Sequence, residues 1–283
     1  MPTPQPGILL PLPPLCRYLV FSLEPDTDVA AGLTALRQLA DGEHTVAGIG
    51  QAPLSAIGRK LPGLKPFPPL SGPGVDIPST PAALWLWLRG DDRGELLLRS
   101  RHIEQALAPV FRLQESCDGF KHDTGRDLTG YEDGTENPTG EAATAAAIAA
   151  DGSSLVAVQR WLHNFSRFDA MQPEDRDNCI GRRRSDNEEL DDAPESAHVK
   201  RTAQESFSPE AFLLRRSMPW ADGMDAGLMF VAFGHTLDAF QAQMRRMIGL
   251  EDGIVDALFR FTRPVSGAYF WCPGMEGGRL ALI

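Results

Sequence analysis

The residues best suited to chemistry lie in the middle of the chain, in the stretch GYEDGTENP that spans residues 130–138. Asp-Gly and Asn-Pro are turn dipeptides, so the pattern alone favours two consecutive turns. The functional interpretation is a carboxylate on a tight loop, where glycines let the backbone approach a ligand closely. Glu132, Asp133 and Glu136 are then the candidate carboxylates, and the residues alone leave both interpretations open.

Arginines form a second candidate group. Three of them, residues 182–184, precede an acidic run, and Arg215 and Arg216 are adjacent in LLRRSMPW. A charge run is most often a solvated loop, and the alternative is a patch that binds carboxylates or phosphates. If Leu213 and Leu214 begin a buried strand, one arginine of the pair must point inward, where it needs an anion or a polar ligand.

Histidines and cysteines narrow the possible chemistry. Of the six histidines, His198 lies in a polar, irregular segment where a ligand-binding role is plausible, whereas His163 and His235 have structural explanations. The motifs HExxH, GxSxG, CxxC and the P-loop are absent from the sequence. The sequence therefore gives no sign of a protein-only zinc site, a serine hydrolase, a redox dithiol or a nucleotide phosphate site.

Composition limits the partners and the compartment. The 283 residues include 27 Lys+Arg and 38 Asp+Glu, a formal net charge of −11. This acidity disfavours nucleic acid and anionic membranes, which require a basic surface. The N-terminus has no signal-peptide pattern, and no apolar run approaches the ~18 residues of a membrane span. Four scattered cysteines are typical of reduced thiols, so we expect a cytoplasmic protein.

An internal repeat indicates the elements that position these residues. The first half reads as a strand at 17–23, a helix, strands at 44–49 and 84–88, a helix at 95–110 and a strand at 111–116. The second half repeats the order, with strands at 155–162, 213–217 and 228–233, a helix at 236–248 and a last strand region at 257–271. Each half therefore reads βαββαβ, a ferredoxin-like arrangement. Coincidental periodicity in an α/β protein is the alternative.

We predict one α+β domain over residues 1–283, with an N-terminal half at about 16–117 and a C-terminal half at about 154–275. Antiparallel sheets of the two halves should pack together with the helices outside. Segments 50–81, 118–154 and 182–204 interrupt the repeat. Long irregular segments in compact domains are often functional, so we expect the chemistry there.

Taken in order, the motifs resemble those of the dye-decolourising peroxidases, and of their bacterial B-type group in particular. GYEDGTENP resembles the family's GxxDG motif, and QRWLHNF, IGRRRSDNEEL, SAHVKR, RRSMP and LFRFTRPVSGAYFW follow in the family's order. The resemblance implies duplicated ferredoxin-like halves of the dimeric α/β-barrel type. It also implies a haem peroxidase that uses hydrogen peroxide to oxidise dyes and phenolics through an oxidised ferryl haem. Because relatives form dimers or larger assemblies, the resemblance further implies a homo-oligomer.

Two other functions are considered beside the peroxidase. One is a haem-handling protein that stores haem or releases its iron or porphyrin. The other is a ferredoxin-like binding module without enzymatic activity. A carrier needs a haem ligand but has no use for a facing carboxylate and arginine, so that pair favours the enzyme.

The resemblance assigns the main roles at a non-covalent haem b. It implies that His198 is the proximal iron ligand, that Asp133 is the distal carboxylate and that Arg215 is the distal arginine. Arg182 would pair with a haem propionate. Because a nearby cation lowers the pKa of a carboxyl group, we expect Arg215 to keep Asp133 ionised.

The resemblance also suggests supporting residues. Glu132, Gly134 and Thr135 of the motif would contact the cofactor, and Glu210 would accept a hydrogen bond from the proximal imidazole. Ser217 stands where one type of relative has Asn, which would alter the distal water network. Large dyes cannot enter a small pocket, so surface radicals could relay electrons, and the aromatic candidates are Tyr131, Trp161, Trp220, Tyr269 and Trp271.

Overall fold

The structure is a computed structural model that describes residues 2–282. Its helices are α1 (Pro6–Leu9), α2 (Val29–Leu39), α3 (Gln51–Ala56), α4 (Arg93–Leu107), α5 (Gly140–Ala147), α6 (Phe165–Ala170), α7 (Pro173–Ile180), α8 (His198–Thr202) and α9 (Asp238–Met247), with 3₁₀ helices at Gln204–Ser206 and Ala257–Arg260. Its strands are β1 (Leu15–Leu23), β2 (Thr45–Ile49), β3 (Leu70–Gly72), β4 (Val75–Ile77), β5 (Leu84–Gly90), β6 (Phe111–Phe120), β7 (Ser154–His163), β8 (Leu214–Arg215), β9 (Met218–Asp222), β10 (Asp225–Gly234), β11 (Thr262–Pro264), β12 (Ala268–Cys272), β13 (Met275–Glu276) and β14 (Arg279–Leu280).

The main sheet is antiparallel and closes on itself. Its order is β11-β7-β12-β2-β5-β1-β6-β9-β10-β8, and β7 also pairs with β10. In that pairing Gly227 lies opposite Leu162 and Gly234 opposite Leu155. The extra pairing joins β7, β12, β2, β5, β1, β6, β9 and β10 into a barrel. The predicted mixed α and β fold with antiparallel sheets is confirmed.

The two halves of the barrel have the same strand order. The N-terminal half runs β6-β1-β5-β2, and the C-terminal half runs β12-β7-β10-β9. With the four strands of each half numbered along the chain, both orders are 4-1-3-2. The halves meet where β12 pairs with β2 and where β6 pairs with β9.

Strand β5 is apolar on both faces because one face points into the barrel and the other packs under the helices. In β5, Trp85 and Trp87 point into the barrel, while Leu84, Leu86 and Leu88 belong to a second core under the helices. All five are fully buried. Because successive side chains face opposite sides of a strand, a continuous apolar run such as LWLWL indicates burial on both sides.

Helices α2, α4 and α9 pack on the outside of the barrel, and side-chain caps fix where α2 and α4 begin. The Asp28 carboxylate accepts from the Ala31 amide at 3.0 Å at the start of α2, and the Asp92 carboxylate accepts from the Glu95 amide at 2.8 Å at the start of α4. Such caps satisfy amides that have no partner within the helix. No helix within residues 2–282 is long and apolar enough to cross a membrane.

Two predicted strands differ from the structure. The strand predicted at 213–217 is only the two-residue β8, and β9 follows from Met218. The region predicted as one strand at 257–271 contains a 3₁₀ helix, β11 and β12. Its first part is helical because the Asp256 side chain accepts from the Leu258 amide at 2.8 Å and caps that turn.

Candidate active site

A cavity lies outside the barrel, between the outer faces of β7 and β10, helix α9 and the loop that contains GYEDGTENP. It encloses about 880 Å³, including the open space at its mouth. Its walls are mostly apolar, with a few charged groups. The lining residues are Asp127, Thr129, Tyr131, Glu132, Asp133, Trp161, His163, Ile180, His198, Thr202, Arg215, Leu228, Phe230, Phe240, Gln243, Met244, Met247, Leu258, Phe261 and Thr262.

His198 begins α8 and lines this cavity. Its Nδ1 lies 2.8 Å from Oδ2 of Asp256, and the Asp256 side chain is fully buried. The other Asp256 oxygen is occupied by the Leu258 amide, so the carboxylate is held from both sides. An imidazole that donates from Nδ1 keeps the lone pair on Nε2 free for a metal, and the carboxylate makes it a stronger donor.

The predicted partner of this imidazole was Glu210, and that prediction is wrong. Glu210 is exposed, whereas Asp256 reaches His198 from a segment 58 residues further along the chain. The 3₁₀ helix that Asp256 caps brings its carboxylate under α8.

An ion pair between buried Arg201 and exposed Asp252 anchors α8 against the segment after α9. Both terminal nitrogens of Arg201 donate to Asp252, each at 2.7 Å, and one also donates to the Arg246 carbonyl at 2.8 Å. Arg201 is buried. A bidentate pair of this kind restricts orientation as well as distance, so it fixes the helix on which His198 lies.

The motif loop depends on its two glycines. Gly130 has φ +88°, and a β-carbon there would lie 2.5–2.8 Å from the Arg184 guanidinium. Gly134 has φ +78°, and a β-carbon there would lie 2.9 Å from the Asn137 amide nitrogen. Side chains other than hydrogen are disfavoured at such angles. The Tyr131 hydroxyl donates to Asp177 of α7, which ties the loop to that helix.

Two amide side chains connect this loop to β8. The Arg215 amide donates to Oδ1 of Asn137 at 2.8 Å, and Nδ2 of Asn137 donates to the Arg215 carbonyl at 3.0 Å. Buried Gln204 donates to the Glu136 carbonyl at 2.7 Å and accepts from the Leu213 amide at 3.1 Å. These contacts hold Asp133 and Arg215 at the same end of the cavity.

The sequence interpretation missed Asn137, Gln204 and Asp256. Asn137 was assigned to a turn dipeptide, although its place four residues after Asp133 in a candidate loop was the available signal. Gln204 and Asp256 carry no motif. Their contacts join segments that are distant in the sequence.

Burial controls the charge of Asp133. Removal from water raises the pKa of its carboxyl group, and the nearby Asp127 adds to this effect. Arg215, His198 and the Gly134 amide favour the charged form but do not outweigh burial. Arg215 lowers this pKa as expected, but burial has the larger effect, so the pKa lies above its usual value. A carboxyl group whose pKa lies nearer to neutrality exchanges protons more readily at neutral pH.

A second carboxylate–histidine pair also lines the cavity. Nε2 of His163 lies 3.0 Å from Oδ2 of Asp127, and Nδ1 of His163 lies 2.7 Å from the Thr262 hydroxyl. The amide and hydroxyl of Thr129 both donate to the other Asp127 oxygen, at 2.8 and 2.6 Å. Burial opposes ionisation of Asp127, but the bonds from His163 and Thr129 prevail and lower its pKa.

The arginine pair diverges, as an alternating strand requires. Arg215 lines the cavity. The Arg216 guanidinium instead donates to the carbonyls of Ile8 and Leu9 at 2.9 and 3.0 Å, and burial lowers its pKa to about 10. Ser217 is buried, and its hydroxyl accepts from the Val231 amide at 3.3 Å.

The pairing of Arg182 with a haem propionate stays a prediction. The guanidinium of Arg182 donates to Glu136 at 2.7 Å and to Glu189 at 3.0 Å, and the residue lies outside the cavity wall. Because two carboxylates already hold this cation, Arg182 joins the loops on either side of it.

The other predicted motif residues differ in their access to the cavity. Glu132 lines it and accepts from Arg126 and from Asn187, each at 3.0 Å. Gly134 and Thr135 lie beside Asp133 along a separate surface groove. Of these three, only Glu132 reaches the main cavity.

The aromatic relay candidates are all buried. Tyr131 and Trp161 line the cavity, Trp220 lies inside the barrel, and Tyr269 and Trp271 belong to the outer core. None of the five is more than 5% exposed. The expectation of a surface tyrosine or tryptophan radical is therefore wrong for these residues, because packing covers each ring.

The fold and the site together define a class: an antiparallel α/β barrel with an external cavity that is lined by a carboxylate-supported histidine, a half-buried aspartate and an arginine. The family model for the C-terminal part of Dyp-type peroxidases matches residues 124–277. The dye-decolorizing peroxidase of Rhodococcus erythropolis is 30% identical over 295 residues, which cover 95% of this chain and 86% of the relative. The chain belongs to the Dyp-type peroxidase family.

Solved structures agree with this assignment. The dye-decolorizing protein from V. cholerae superposes with a TM-score of 0.86 at 29% identity, over 94% of this chain and 96% of that one. A variant of DypB from Rhodococcus jostii RHA1, solved in complex with haem, has a TM-score of 0.86 at 27% identity, over 95% of both chains. Both similarities extend over nearly the whole barrel.

Proposed function

We propose that this protein is a haem-dependent peroxidase that uses hydrogen peroxide to oxidise dyes, phenolics and similar reducing substrates. The observation that carries the proposal is the cavity in which a carboxylate-supported His198 shares the walls with Asp133 and Arg215. A haem carrier would need His198 alone. The Asp133 carboxyl group and Arg215 support the enzyme over the haem-handling alternative.

The residues of the cavity fit haem b. The walls include Leu228, Phe230, Phe240 and Met244, which suit a flat apolar ring. With its Nδ1 bonded to Asp256, His198 offers one nitrogen as an axial ligand, the usual arrangement for a histidine that binds a metal. Haem would supply the redox chemistry, taking oxidising equivalents from peroxide and returning them one electron at a time to the substrate.

The chain's own groups would handle the protons and the charge. Asp133 would accept the proton that one peroxide oxygen loses and deliver it to the other oxygen, which leaves as water. Arg215 would stabilise the negative charge that develops as the O–O bond breaks. Because Asn137 holds the Arg215 backbone, the two groups keep a fixed relation.

Other features of the proposal follow from the same family. We infer duplicated ferredoxin-like halves within one domain, which the identical 4-1-3-2 orders support. A homo-oligomer of dimer size or larger is also proposed. Four buried free cysteines support a reducing, cytoplasmic location.

The test uses the purified protein loaded with haem. We expect a Soret band, a change of that band when one equivalent of hydrogen peroxide is added, and its recovery when a phenolic reductant follows. A protein that binds no haem contradicts both haem functions. A Soret band that peroxide leaves unchanged contradicts the peroxidase and favours the haem-handling protein.

A further inference from the structure

The loop that carries Asp133 is a short hairpin with two arms. The Asp127 amide donates to the Tyr131 carbonyl at 2.8 Å, and the Asp133 amide donates to the Gly125 carbonyl at 3.3 Å. The Gly130 amide closes the turn by donating to the Asp127 carbonyl at 2.8 Å. An isolated hairpin is marginally stable at best in water, so contacts with the rest of the molecule must hold this one in place.

The Asp127 side chain ties the hairpin to the main sheet. Its Oδ2 lies 3.0 Å from Nε2 of His163, the last residue of β7, and Nδ1 of His163 lies 2.7 Å from the hydroxyl of Thr262, the first residue of β11. His163 and Thr262 lie opposite each other where β7 pairs with β11. The side chains of His163 and Asp127 are only 5% and 15% exposed, so water competes little for this contact and it is stronger than an exposed pair.

Both members of the pair are themselves held. The amide and hydroxyl of Thr129 donate to the other Asp127 oxygen at 2.8 and 2.6 Å. The His163 ring packs against Phe165 and Phe261, with centroids 5.8 and 6.2 Å away and interplanar angles of 81° and 66°, the edge-to-face contact that aromatic rings prefer. Neither side chain can move without breaking further contacts.

The pair acts on Asp133 through position and through charge. Asp127, His163 and Asp133 all line the same cavity, and Asp127 and Asp133 lie on the two bonded arms of the hairpin, so a shift of one arm moves the other. Asp127 has a lowered pKa and is therefore ionised at neutral pH. Its negative charge opposes ionisation of Asp133 and contributes to the raised pKa of that group.

We propose that Asp127 and His163 are positioning residues for the reaction with peroxide: the pair fixes the hairpin that carries Asp133, and the Asp127 carboxylate keeps a negative charge beside Asp133. This inference rests on the proposed peroxidase function. Neither residue exchanges a proton with peroxide, because both act through Asp133.

The position of the hairpin is tested by hydrogen–deuterium exchange of the haem-loaded protein. His163→Leu removes the contact with Asp127, so peptides that cover residues 125–133 should exchange roughly 10-fold faster. The reaction with peroxide should slow by a similar factor. His163→Gln keeps a donor that can face Asp127 and should recover part of both losses.

Two further variants complete this test. His235→Leu is the control, since His235 contacts the Ala146 carbonyl outside the cavity lining and should change neither exchange nor rate. If His163→Leu does not fold, Thr129→Val removes one donor to Asp127 and should act in the same direction by a smaller factor.

The charge is tested by the pH profile of the peroxide reaction. Asp127→Asn keeps an acceptor for Thr129 but removes the negative charge, so Asp133 ionises more easily. The acid limb of the rate should then move to lower pH by roughly 0.5–1 pH unit. Asp177→Asn is the matched control: Asp177 also holds the hairpin, through the Tyr131 hydroxyl, but lies outside the cavity lining and should leave the limb in place.

Other charged groups also surround Asp133, and all of these variants retain them. They are Arg215 from β8, His198 from α8 and, along the cavity and the adjoining surface grooves, Lys121, His122, Arg126 and Glu132. A shift confined to Asp127→Asn therefore reports on the Asp127 carboxylate.

Unchanged exchange in both His163→Leu and Thr129→Val would overturn the proposal. An acid limb that Asp127→Asn leaves in place, or that Asp177→Asn shifts as far, would also overturn it. The exchange measurement needs no peroxide. A haem-loaded protein that does not react with peroxide would contradict the proposed function, while exchange would still decide whether the pair holds the hairpin.

Discussion

The two halves of the barrel have the same strand order, yet only the C-terminal half forms the external cavity. In the N-terminal half, α2 and α4 lie directly on the sheet through residues such as Leu36, Ile103 and Leu107. In the C-terminal half, α9 faces β7 and β10 across the space that His198 and Arg215 also line.

The difference arises in the connections between strands. In the N-terminal half the chain passes from β1 to β2 through one helix, whereas between β7 and β9 it forms α6, α7, α8 and a 3₁₀ helix. This longer connection, with the loop before β7, places polar groups beside the sheet. The segments inserted between the strands of the C-terminal half, rather than the repeated fold itself, thus create the site.

The largest effect should follow from removal of the histidine in the C-terminal half. We expect His198→Ala to weaken haem retention by more than about 100-fold, since changes around metal ligands alone cause losses of 10- to 100-fold. The measurement is the Soret spectrum after gel filtration. His44→Ala, an exposed histidine in the N-terminal half, is the control and should retain haem. A histidine-ligated spectrum in His198→Ala would contradict the assignment.

Arg215→Ala should slow the reaction with peroxide by about 10²- to 10³-fold while haem stays bound, because one charge-stabilising donor is lost. Stopped-flow absorbance at the Soret band measures this rate. Arg112→Ala removes an arginine from an exposed ion pair with Glu24 in the N-terminal half and should leave the rate unchanged. Equal rates for wild type and Arg215→Ala would show that another group has this role.

Core packing offers a smaller contrast. Leu107→Ala should reduce the free energy of unfolding by about 2–5 kcal/mol, because it leaves a void in a filled core. Met244 is about as buried as Leu107 but already borders the cavity. We therefore expect Met244→Ala to be less destabilising than Leu107→Ala by roughly 1 kcal/mol. Urea unfolding of the haem-free protein compares them. A larger loss in Met244→Ala would mean that the outer face of the C-terminal half is packed as tightly as its counterpart.

The smallest effect concerns the carboxylate–histidine pairs. The lowered pKa of Asp127 stabilises the fold above the usual pKa of aspartate, and this contribution is lost as the pH falls through the lowered value. Asp127→Asn should therefore be less stable than the wild type by about 1 kcal/mol at pH 7, with the gap closing below about pH 4.

The control is a similar pair in the N-terminal half. Asp41 and His44 lie 3.1 Å apart but are more than half exposed, and exposed pairs contribute little. Thermal unfolding between pH 3 and 8 should show a smaller pH-dependent change for Asp41→Asn. A gap that stays constant with pH in Asp127→Asn would mean that charge is not the reason for its effect.

Local pattern predicted more of the fold than of the site. The pattern of apolar residues in β5, α4, β7 and α9 is clear in the sequence, because both the sheet and the helices bury apolar faces. The elements that failed, residues 213–217 and 257–271, depend on contacts made elsewhere, such as the cap from Asp256.

The site residues divide in the same way. Asp133, His198 and Arg215 lie in recognisable motifs, and the structure brings all three to one cavity, while their roles there stay predictions. Asp256 and Asn137 act on partners 58 and 78 positions away, so no local spacing indicates them. The pKa of Asp133 could not be predicted from its neighbour Arg215, because burial, which only the folded chain defines, has the larger effect.

The sequence contains three tyrosines and five tryptophans. Tyr18, Tyr131, Tyr269 and all five tryptophans are at most 5% exposed. Coupling of two phenoxyl radicals between protein molecules requires a phenol at each surface. Because its tyrosine and tryptophan rings are all buried, this protein cannot readily cross-link to other copies of itself through them. Oxidising conditions should therefore produce no dityrosine-linked oligomers.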